Sequence, residues 1–320
     1  MKALFSLLSP AGAGARLSIL IFHRVLSEPD PLFPDEVDAA RFDQQLGWLK
    51  RWFQVLPLDE AARRLTEGSL PARAAALTFD DGYADNHGLA LPLLRRHGLP
   101  CTFFIATGFL DGGRMWNDSL IEAVRRSTLP GLDLRGLSGR QGQDLGRHEL
   151  GALPQQRRAL IDVLLPQVKY LAPEPRLRLV EQIAQRAEVA LPDNLMMSTA
   201  QVRDLHAAGM QIGAHTRSHP ILASLSETEA RDEIAYSKRT LEQMLGAPVG
   251  LFAYPNGRPG TDYLPQCHPA MVRELGFQAA VSTHWGAARA GSDVFQLPRF
   301  TPWDRSRLRY GARMLRNLRA

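Results

Sequence analysis

Cysteine is nearly absent from this sequence of 320 residues, and the little that is present excludes a disulfide framework. Only Cys101 and Cys267 occur, which is too few for a set of disulfide bonds that stabilises the fold. Cys101 lies in the apolar run from 101 to 106, a pattern typical of a buried strand. We therefore expect it to be a packed thiol rather than a functional one.

Long apolar runs are also missing, which excludes a transmembrane segment. Runs of roughly 18 apolar residues, the length that a spanning helix needs, do not occur. The N-terminus makes a poor signal peptide, because Lys2 is its only basic residue and Ser9 and Pro10 soon interrupt the apolar stretch. We therefore expect a cytoplasmic protein.

Lysine is rare as well, so the formal net charge of +5 comes mostly from arginine. Arginines are concentrated in a basic C-terminal tail at about 304–320. Such a tail is compatible with peripheral contact with an anionic membrane surface or an acidic polymer. We favour the commoner role, a solvated helix face. Interleaved aromatic residues and a recognised nucleic-acid module are both absent, so we predict no nucleic-acid ligand.

Short apolar runs alternate with helical patterns along most of the chain. The apolar content of 45% and the charged content of 22% are those of a soluble globular protein. The alternation predicts a mostly parallel sheet. Both a β/α barrel and an open doubly wound sheet place their chemistry after the strands, so this pattern leaves both open. We predict strands at Leu17–Phe22, Ala75–Phe79, Thr102–Ala106, Gln211–Ala214, Val249–Ala253 and Ala279–Ser282.

The stretch from about 117 to 194 interrupts this rhythm. It is polar, rich in arginine and broken by glycine and proline, with helical patterns at Leu120–Arg126, Gln155–Leu165 and Arg176–Val189. We interpret it as a helical insertion within a single domain that spans residues 1–320.

Two adjacent carboxylates, Asp80 and Asp81, follow the second predicted strand. Such a pair at the end of a buried strand is unfavourable unless a metal ion or a proton offsets the repulsion. Neighbouring strand residues point to opposite faces, so the two carboxylates should have different roles. Gly82 permits a sharp turn that would bring both to one cavity. The alternative is a solvated Asp-Asp-Gly turn.

A second pattern places His215 and His219 four residues apart, after another predicted strand. A helical zinc site is unfavourable here, because Gly213 precedes the pair, Pro220 follows it, and no glutamate follows the first histidine. A loop that curls back would still let both imidazoles converge. The alternative is two unrelated surface histidines.

Two histidines and one aspartate together make a three-ligand set that leaves positions open for water and substrate, as a catalytic metal requires.

The segments Thr78-Phe79-Asp80-Asp81-Gly82 and His215-Thr216-x-x-His219 resemble the polysaccharide deacetylase family, also called carbohydrate esterase family 4. The resemblance extends from about residue 18 to residue 300, without the insertion, and the opening Ile21–Val25 is similar to members that modify exopolysaccharides. It implies a distorted, incomplete (β/α) barrel of about seven strands that binds Zn²⁺, or Co²⁺ or Ni²⁺ in its place. It also implies that Asp80 is the catalytic base and that Asp81, His215 and His219 bind the metal.

The family's third motif corresponds to residues 252–257. The resemblance implies that the main chain of Asn256 stabilises the oxyanion and that Tyr254 and Pro255 line the substrate site. Ala253 occupies the position of the arginine that usually orients the base, and we hypothesise that Arg299 replaces it by pairing with Asp80.

The histidine acid of the fifth motif is also missing from its usual place. His23 and His284 are candidates for the proton donor, although a structural or surface role is as common for a histidine. Tyr83 and Trp116 are candidates for stacking on a sugar ring, with core packing as the alternative for Trp116.

The predicted activity is removal of N-acetyl groups from an N-acetylhexosamine glycan of an exopolysaccharide or the cell envelope. Two alternatives stay open: hydrolysis of a small non-sugar amide, and a non-catalytic protein that binds metal or glycan. We predict a glycan substrate as the partner and no nucleic acid, and the sequence specifies no oligomeric state.

Overall fold

The computed structural model describes residues 1–320 and divides the chain into two compact units. The first unit comprises Met1–Glu28, Glu36–Asp111 and Met196–Ala320. The second comprises Pro29–Asp35 and Gly112–Leu195. Across the whole chain, every helix is too short or too polar to cross a lipid bilayer.

A seven-stranded sheet, in which every pair of neighbouring strands is parallel, forms the centre of the first unit. The strands are β1 (Leu17–Phe22), β2 (Gln54–Val55), β3 (Ala74–Phe79), β4 (Thr102–Ile105), β7 (Gln211–Ala214), β8 (Leu251–Ala253) and β9 (Ala279–Val281). Their order in the sheet is β1-β3-β4-β7-β8-β9, and β2 pairs with β3. Strands β1 and β3 are buried along their whole length, as expected where helices cover a parallel sheet.

The sheet curls into a half-barrel whose two edge strands, β1 and β9, do not pair with each other. An irregular segment fills the gap between them. Leu297 bridges to β9, while Ala288 and Phe300 bridge to β1. The predicted fold class, a distorted and incomplete (β/α) barrel of about seven strands, is confirmed.

Helices cover the outside of this sheet, and two of them begin at capping boxes. Ser198 and Ser226 each accept a hydrogen bond from a backbone N–H three residues on, and the side chains of Gln201 and Glu229 complete the two boxes. The helices of this unit are α1 (Lys2–Leu8), α2 (Ala39–Trp52), α3 (Leu58–Thr66), α4 (Leu91–His97), α8 (Thr199–Ala207), α9 (Glu227–Leu245), α10 (His268–Glu274) and α11 (Arg307–Arg319).

The second unit has its own apolar core, to which Leu120, Ile161 and Ile183 contribute fully buried side chains. Its helices are α5 (Trp116–Arg126), α6 (Pro154–Lys169) and α7 (Pro173–Arg186). It also contains an antiparallel hairpin of β5 (Gly131–Asp133) and β6 (Arg147–Glu149). The sequence did not indicate this hairpin, because three-residue strands are too short for an alternating pattern to be visible.

Candidate active site

Asp80 and Asp81 follow β3 directly, and the backbone turns sharply there. Asp81 has φ +77° and Gly82 has φ +92°, both in the left-handed region. This turn brings the two carboxylates to one imidazole. The Nε2 atom of His215 lies 3.4 Å from Oδ1 of Asp81 and 3.9 Å from Oδ2 of Asp80. The two adjacent carboxylates therefore share one buried cavity, as the sequence predicted.

The two histidines lie on a loop that follows β7 and curls back on itself. Thr216 and His219 have φ +64° and +51°, so the segment is not helical. Thr216 Oγ1 accepts a hydrogen bond from the backbone N–H of His219 at 3.1 Å, which fixes the curl. As a result, Nε2 of His219 also lies 3.4 Å from Oδ1 of Asp81. The predicted convergence of the two imidazoles is confirmed.

Glu233, on α9, anchors this loop from outside. One carboxylate oxygen accepts hydrogen bonds from the backbone N–H groups of Arg217 at 2.9 Å and Ser218 at 2.8 Å. The other accepts one from the Ser218 hydroxyl at 2.7 Å. No local sequence pattern distinguishes Glu233, because it is one of several acidic residues on α9.

The donor atoms fit a divalent metal ion. Oδ1 of Asp81 is buried and accepts no hydrogen bond, which is unfavourable unless a cation lies beside it. Nδ1 of His215 donates to the carbonyl of Ala253 at 2.8 Å, so Nε2 keeps its lone pair for a ligand bond. Tetrahedral ligands at about 2.0–2.2 Å from zinc are about 3.3–3.6 Å apart. Asp81, His215 and His219, whose donor atoms all lie within 4.8 Å of one another, can hold such an ion.

The charges around this cavity keep the carboxylates ionised. Burial alone raises the pKa of Asp81, but the neighbouring imidazoles of His215 and His219 outweigh this effect and lower it below its ordinary value. Burial lowers the pKa of His219 to about 4, so its imidazole is neutral near pH 7. Burial also lowers the pKa of His215, yet Asp80 and Asp81 outweigh this effect and raise it. A proton therefore competes for His215 as the pH falls.

Arg299 pairs with Asp80, as hypothesised from the sequence. Its two terminal nitrogens donate to the two carboxylate oxygens at 2.7 Å each, and both side chains are buried. Further hydrogen bonds to Thr78 Oγ1 at 3.1 Å and to the Ser282 carbonyl at 3.0 Å fix the guanidinium. Burial alone raises the pKa of Asp80, but the charge of Arg299 and its hydrogen bonds contribute to a net lowering.

His23 follows β1 and is exposed beside the acidic pair. Its charge is among the causes that lower the pKa values of Asp80 and Asp81. The buried amide of Asn86 donates to the His23 carbonyl at 2.9 Å, so the backbone at this position is held in place. His284 is exposed and its carbonyl accepts a hydrogen bond from the Arg299 N–H at 3.0 Å.

Asn256 lies three residues beyond β8, in a turn with φ +57°. Its carbonyl accepts a hydrogen bond from the Thr283 hydroxyl at 2.8 Å, and its own N–H donates none within the chain. Because the carbonyl of Ala253, the last residue of β8, accepts a hydrogen bond from His215, this turn begins beside the candidate metal ligands. An available N–H at this position is compatible with the predicted oxyanion role.

Two of the predicted aromatic contacts with substrate are wrong. Tyr254 is 0% exposed, its hydroxyl donates to the Phe295 carbonyl at 3.0 Å, and its ring stacks on Tyr263 at 3.9 Å. Tyr83 is 4% exposed and the guanidinium of Arg24 lies 4.9 Å from the centre of its ring. Neither ring presents a free face on which a sugar could stack.

Contact of Pro255 and Trp116 with substrate stays a prediction. Pro255 is buried, and its carbonyl accepts a hydrogen bond from Gly257 at 2.6 Å within the same turn. Trp116 belongs to the second unit, where it is half-buried and Arg176 lies 5.3 Å from its ring centre. Packing against the core of that unit is the observed role of Trp116.

The fold and the site together define a class of protein. It is an α/β half-barrel in which three side chains able to hold a metal ion and a buried, arginine-paired carboxylate meet at the C-terminal ends of the strands. That end of a β/α barrel is where enzymes of this architecture carry their active sites.

Comparison with known proteins identifies the family. The sequence profile of the polysaccharide deacetylase family matches residues 67–128 and 180–280. The chain belongs to this family, and the predicted enzyme class, a deacetylase, is confirmed. Across 288 residues, 89% of this chain and 71% of the other, it is 22% identical to YxkH of Bacillus subtilis (strain 168), which is named as a polysaccharide deacetylase.

Two further similarities are informative. Over 86 residues, 27% of this chain and 30% of the other, the sequence is 30% identical to the poly-β-1,6-N-acetyl-D-glucosamine N-deacetylase of Staphylococcus aureus (strain MSSA476). The solved structure of IcaB from Ammonifex degensii aligns with a TM-score of 0.61 and 20% identity. That alignment covers 96% of this chain and 98% of IcaB, and it shows that the two share a fold.

Proposed function

We propose that this protein is a zinc-dependent enzyme that removes N-acetyl groups from an N-acetylhexosamine glycan of an exopolysaccharide or the cell envelope. One observation carries the proposal. The Nε2 atoms of His215 and His219 each lie 3.4 Å from Oδ1 of Asp81, a buried oxygen that accepts no hydrogen bond, next to the arginine-paired Asp80. The Staphylococcus aureus relative, whose name specifies a poly-N-acetylglucosamine substrate, supports the choice of glycan.

Zinc is the metal we propose, because one carboxylate and two imidazoles are the ligands of many catalytic zinc sites. Co²⁺ or Ni²⁺ would bind the same donors. When bound by Asp81, His215 and His219, the ion would act as a Lewis acid that polarises the acetamide carbonyl and makes a coordinated water more acidic. The orphaned oxygen of Asp81 and the fixed tautomer of His215 are the features that support this assignment.

Asp80 is the proposed general base. It does not belong to the ligand set, and Oδ2 lies 3.9 Å from Nε2 of His215, so it faces the same cavity as the ligands. Arg299 holds it ionised and fixes both oxygens in position. An ionised carboxylate at this place can accept a proton from the attacking water.

Asn256 and His23 complete the proposed machinery. The unpartnered N–H of Asn256 would stabilise the negative charge that develops on the acetamide oxygen. The leaving amine needs a proton. We assign this role to His23, an exposed imidazole whose charge contributes to lowering the pKa values of both aspartates. The hydrogen bond from Asn86 to the His23 carbonyl keeps this residue beside the site.

The test is acetate release from β-1,6-linked N-acetylglucosamine oligomers by the purified full-length protein. Activity should disappear with a chelator and return with zinc. Asp80→Asn should retain zinc, measured by elemental analysis, but lose activity. Asp81→Asn should lose both, while His206→Gln, an exposed histidine away from the ligand set, should keep both.

Three outcomes would contradict the proposal. Activity that survives complete metal removal would exclude the metal role. Acetate release from small amides but not from sugar oligomers would show that the protein is a hydrolase of small non-sugar amides. Stoichiometric zinc and glycan binding without turnover, under conditions where the relatives are active, would leave a binding protein.

A further inference from the structure

Two terminal helices expose large apolar side chains that the proposed deacetylase site does not use. Leu7 on α1 is 78% exposed and Leu308 on α11 is 81% exposed. Leu4 and Trp303 are also exposed. Leu4 and Leu7 are three residues apart and therefore share one face of α1. We call the outward faces of α1 and α11, together with Trp303, the α1–α11 surface.

The two helices pack against each other, so both present their exposed side chains on the same part of the molecule. A Cβ atom on Gly311 would collide with the side chain of Met1, which places the start of α1 against α11. The inner faces are occupied: Phe5 lies 5.7 Å from Trp52, and Trp52 lies 6.3 Å from Tyr310, measured between ring centres. The exposed leucines are thus what remains after both helices have packed on the core.

The exposed charged residues on and beside these helices are basic. Residues 1–16 and 305–320 contain no aspartate or glutamate. Within the second segment, Arg313 pairs with the buried Asp304, which lies just outside it. The exposed basic residues on or beside the two helices are Lys2, Arg305, Arg307, Arg309, Arg316 and Arg319. The surface therefore combines exposed apolar side chains with a charge of one sign.

We propose that the α1–α11 surface docks the protein on an anionic phospholipid bilayer, with both helices lying in the plane of the interface. An acidic soluble polymer would account for the arginines but not for the leucines. A bilayer interface satisfies both, because leucine and tryptophan insert among the headgroups while arginine meets lipid phosphates. Neither helix is long enough to insert across the membrane.

Docking in this way leaves the deacetylase site available. Helices α1 and α11 pack against each other, against α2 and, through α11, against β1. The candidate catalytic residues instead follow the C-terminal ends of β1, β3, β7 and β8. None of the side chains of the α1–α11 surface belongs to the catalytic or metal-binding set.

The experiment is co-sedimentation of the full-length protein with two kinds of vesicle, pure phosphatidylcholine and phosphatidylcholine mixed with phosphatidylglycerol. We expect binding to the anionic vesicles only, and weaker binding as salt increases. Leu7→Ser and Leu308→Ser should each weaken binding by about tenfold, the scale of burying one leucine. Arg309→Glu should weaken it by more than about fivefold.

The chain offers matched controls on the second unit. Leu177 and Arg178 are an exposed leucine and arginine, adjacent on α7 as Leu308 and Arg309 are on α11. Leu177→Ser and Arg178→Glu should leave vesicle binding unchanged. All five variants should deacetylate a soluble oligosaccharide like the unaltered protein, which verifies that they are folded.

Several results would overturn the proposal. One is the absence of binding to anionic vesicles at low salt. Another is binding that depends on Arg309 but not on Leu7 or Leu308, because that would be simple electrostatic adsorption. A third is a concentration-dependent dimer that Leu308→Ser abolishes while vesicles bind nothing, since the surface would then be a contact between two copies of the chain.

Discussion

Replacing Arg299 by methionine tests the central electrostatic feature of the site. Methionine preserves much of the side-chain length but removes the charge and all hydrogen-bond donors. Arg299 is 1% exposed, and the substitution leaves Asp80 as an uncompensated buried carboxylate. It also removes donors from the Thr78 hydroxyl and the Ser282 carbonyl.

The expected loss of stability follows from this burial. Removing one partner of a buried ion pair lowers the free energy of unfolding by about 3–5 kcal/mol, mostly because the other charge stays buried alone. Asp80→Asn combined with Arg299→Met removes both charges and should therefore destabilise less than the sum of the two single substitutions. Chemical denaturation of the metal-free single and double variants measures this coupling.

The same substitution should move the pH profile in a defined direction. Arg299 lowers the pKa of Asp80 against the opposing effect of burial, so its removal raises that pKa. A general base acts only when ionised, and the acidic limb of kcat/KM should shift to higher pH. Arg299→Lys keeps a charge but not the bidentate hydrogen bond. The acidic limb of kcat/KM should therefore shift less in this variant, while kcat still falls.

Arg157 provides the control for losing a partly buried arginine. It donates to the carbonyls of Val124, Arg125 and Ser127, and Arg157→Met should reduce stability without moving the pH profile. If Arg299→Met unfolded at the same denaturant concentration as the unaltered protein and kept its acidic limb, the proposed role of the ion pair would be wrong.

Three further predictions concern the supporting structure. Glu233→Ala should raise the zinc Kd by about 10–100-fold, and Glu233→Gln by less, measured by competition with a chromogenic chelator; equal affinities would exclude an anchoring role. Chelation should lower the free energy of unfolding by about 2.7 kcal/mol when free zinc had been at 100 times its Kd, and Asp81→Asn should abolish this response in thermal melts. Gly213→Ala places a Cβ 2.4 Å from the ring of buried Phe104 and should destabilise by about 1–3 kcal/mol, whereas Gly88→Ala meets open space and should not lower the melting temperature comparably.

Much of the fold and the centre of the site could be predicted because their signals are local. The buried strands β1 and β3 are mostly apolar runs, and the capping boxes at Ser198 and Ser226 mark the starts of helices. Asp80 and Asp81 stand at a strand end before a glycine, which limits where their carboxylates can point. Parallel strands then bring such ends to one edge of the sheet.

The wrong predictions involve side-chain direction in irregular segments. Tyr83 and Tyr254 are close in sequence to site residues, yet their rings point into the interior and are covered there. Neighbouring residues in a turn diverge according to backbone angles that no periodicity encodes. Proximity along the chain was therefore a poor guide to contact with substrate.

The sequence by itself determined the chemistry that is available: two carboxylates and two histidines in the loops that follow two buried strands. The tertiary structure decided which contacts hold them. The pair of Arg299 and Asp80, which the sequence suggested only through a family resemblance, spans 219 residues, and Glu233 fixes the histidine loop from a separate helix. The reason is that these contacts depend on the path of the closing segment and on helix packing, which are set by the whole core rather than by neighbouring residues.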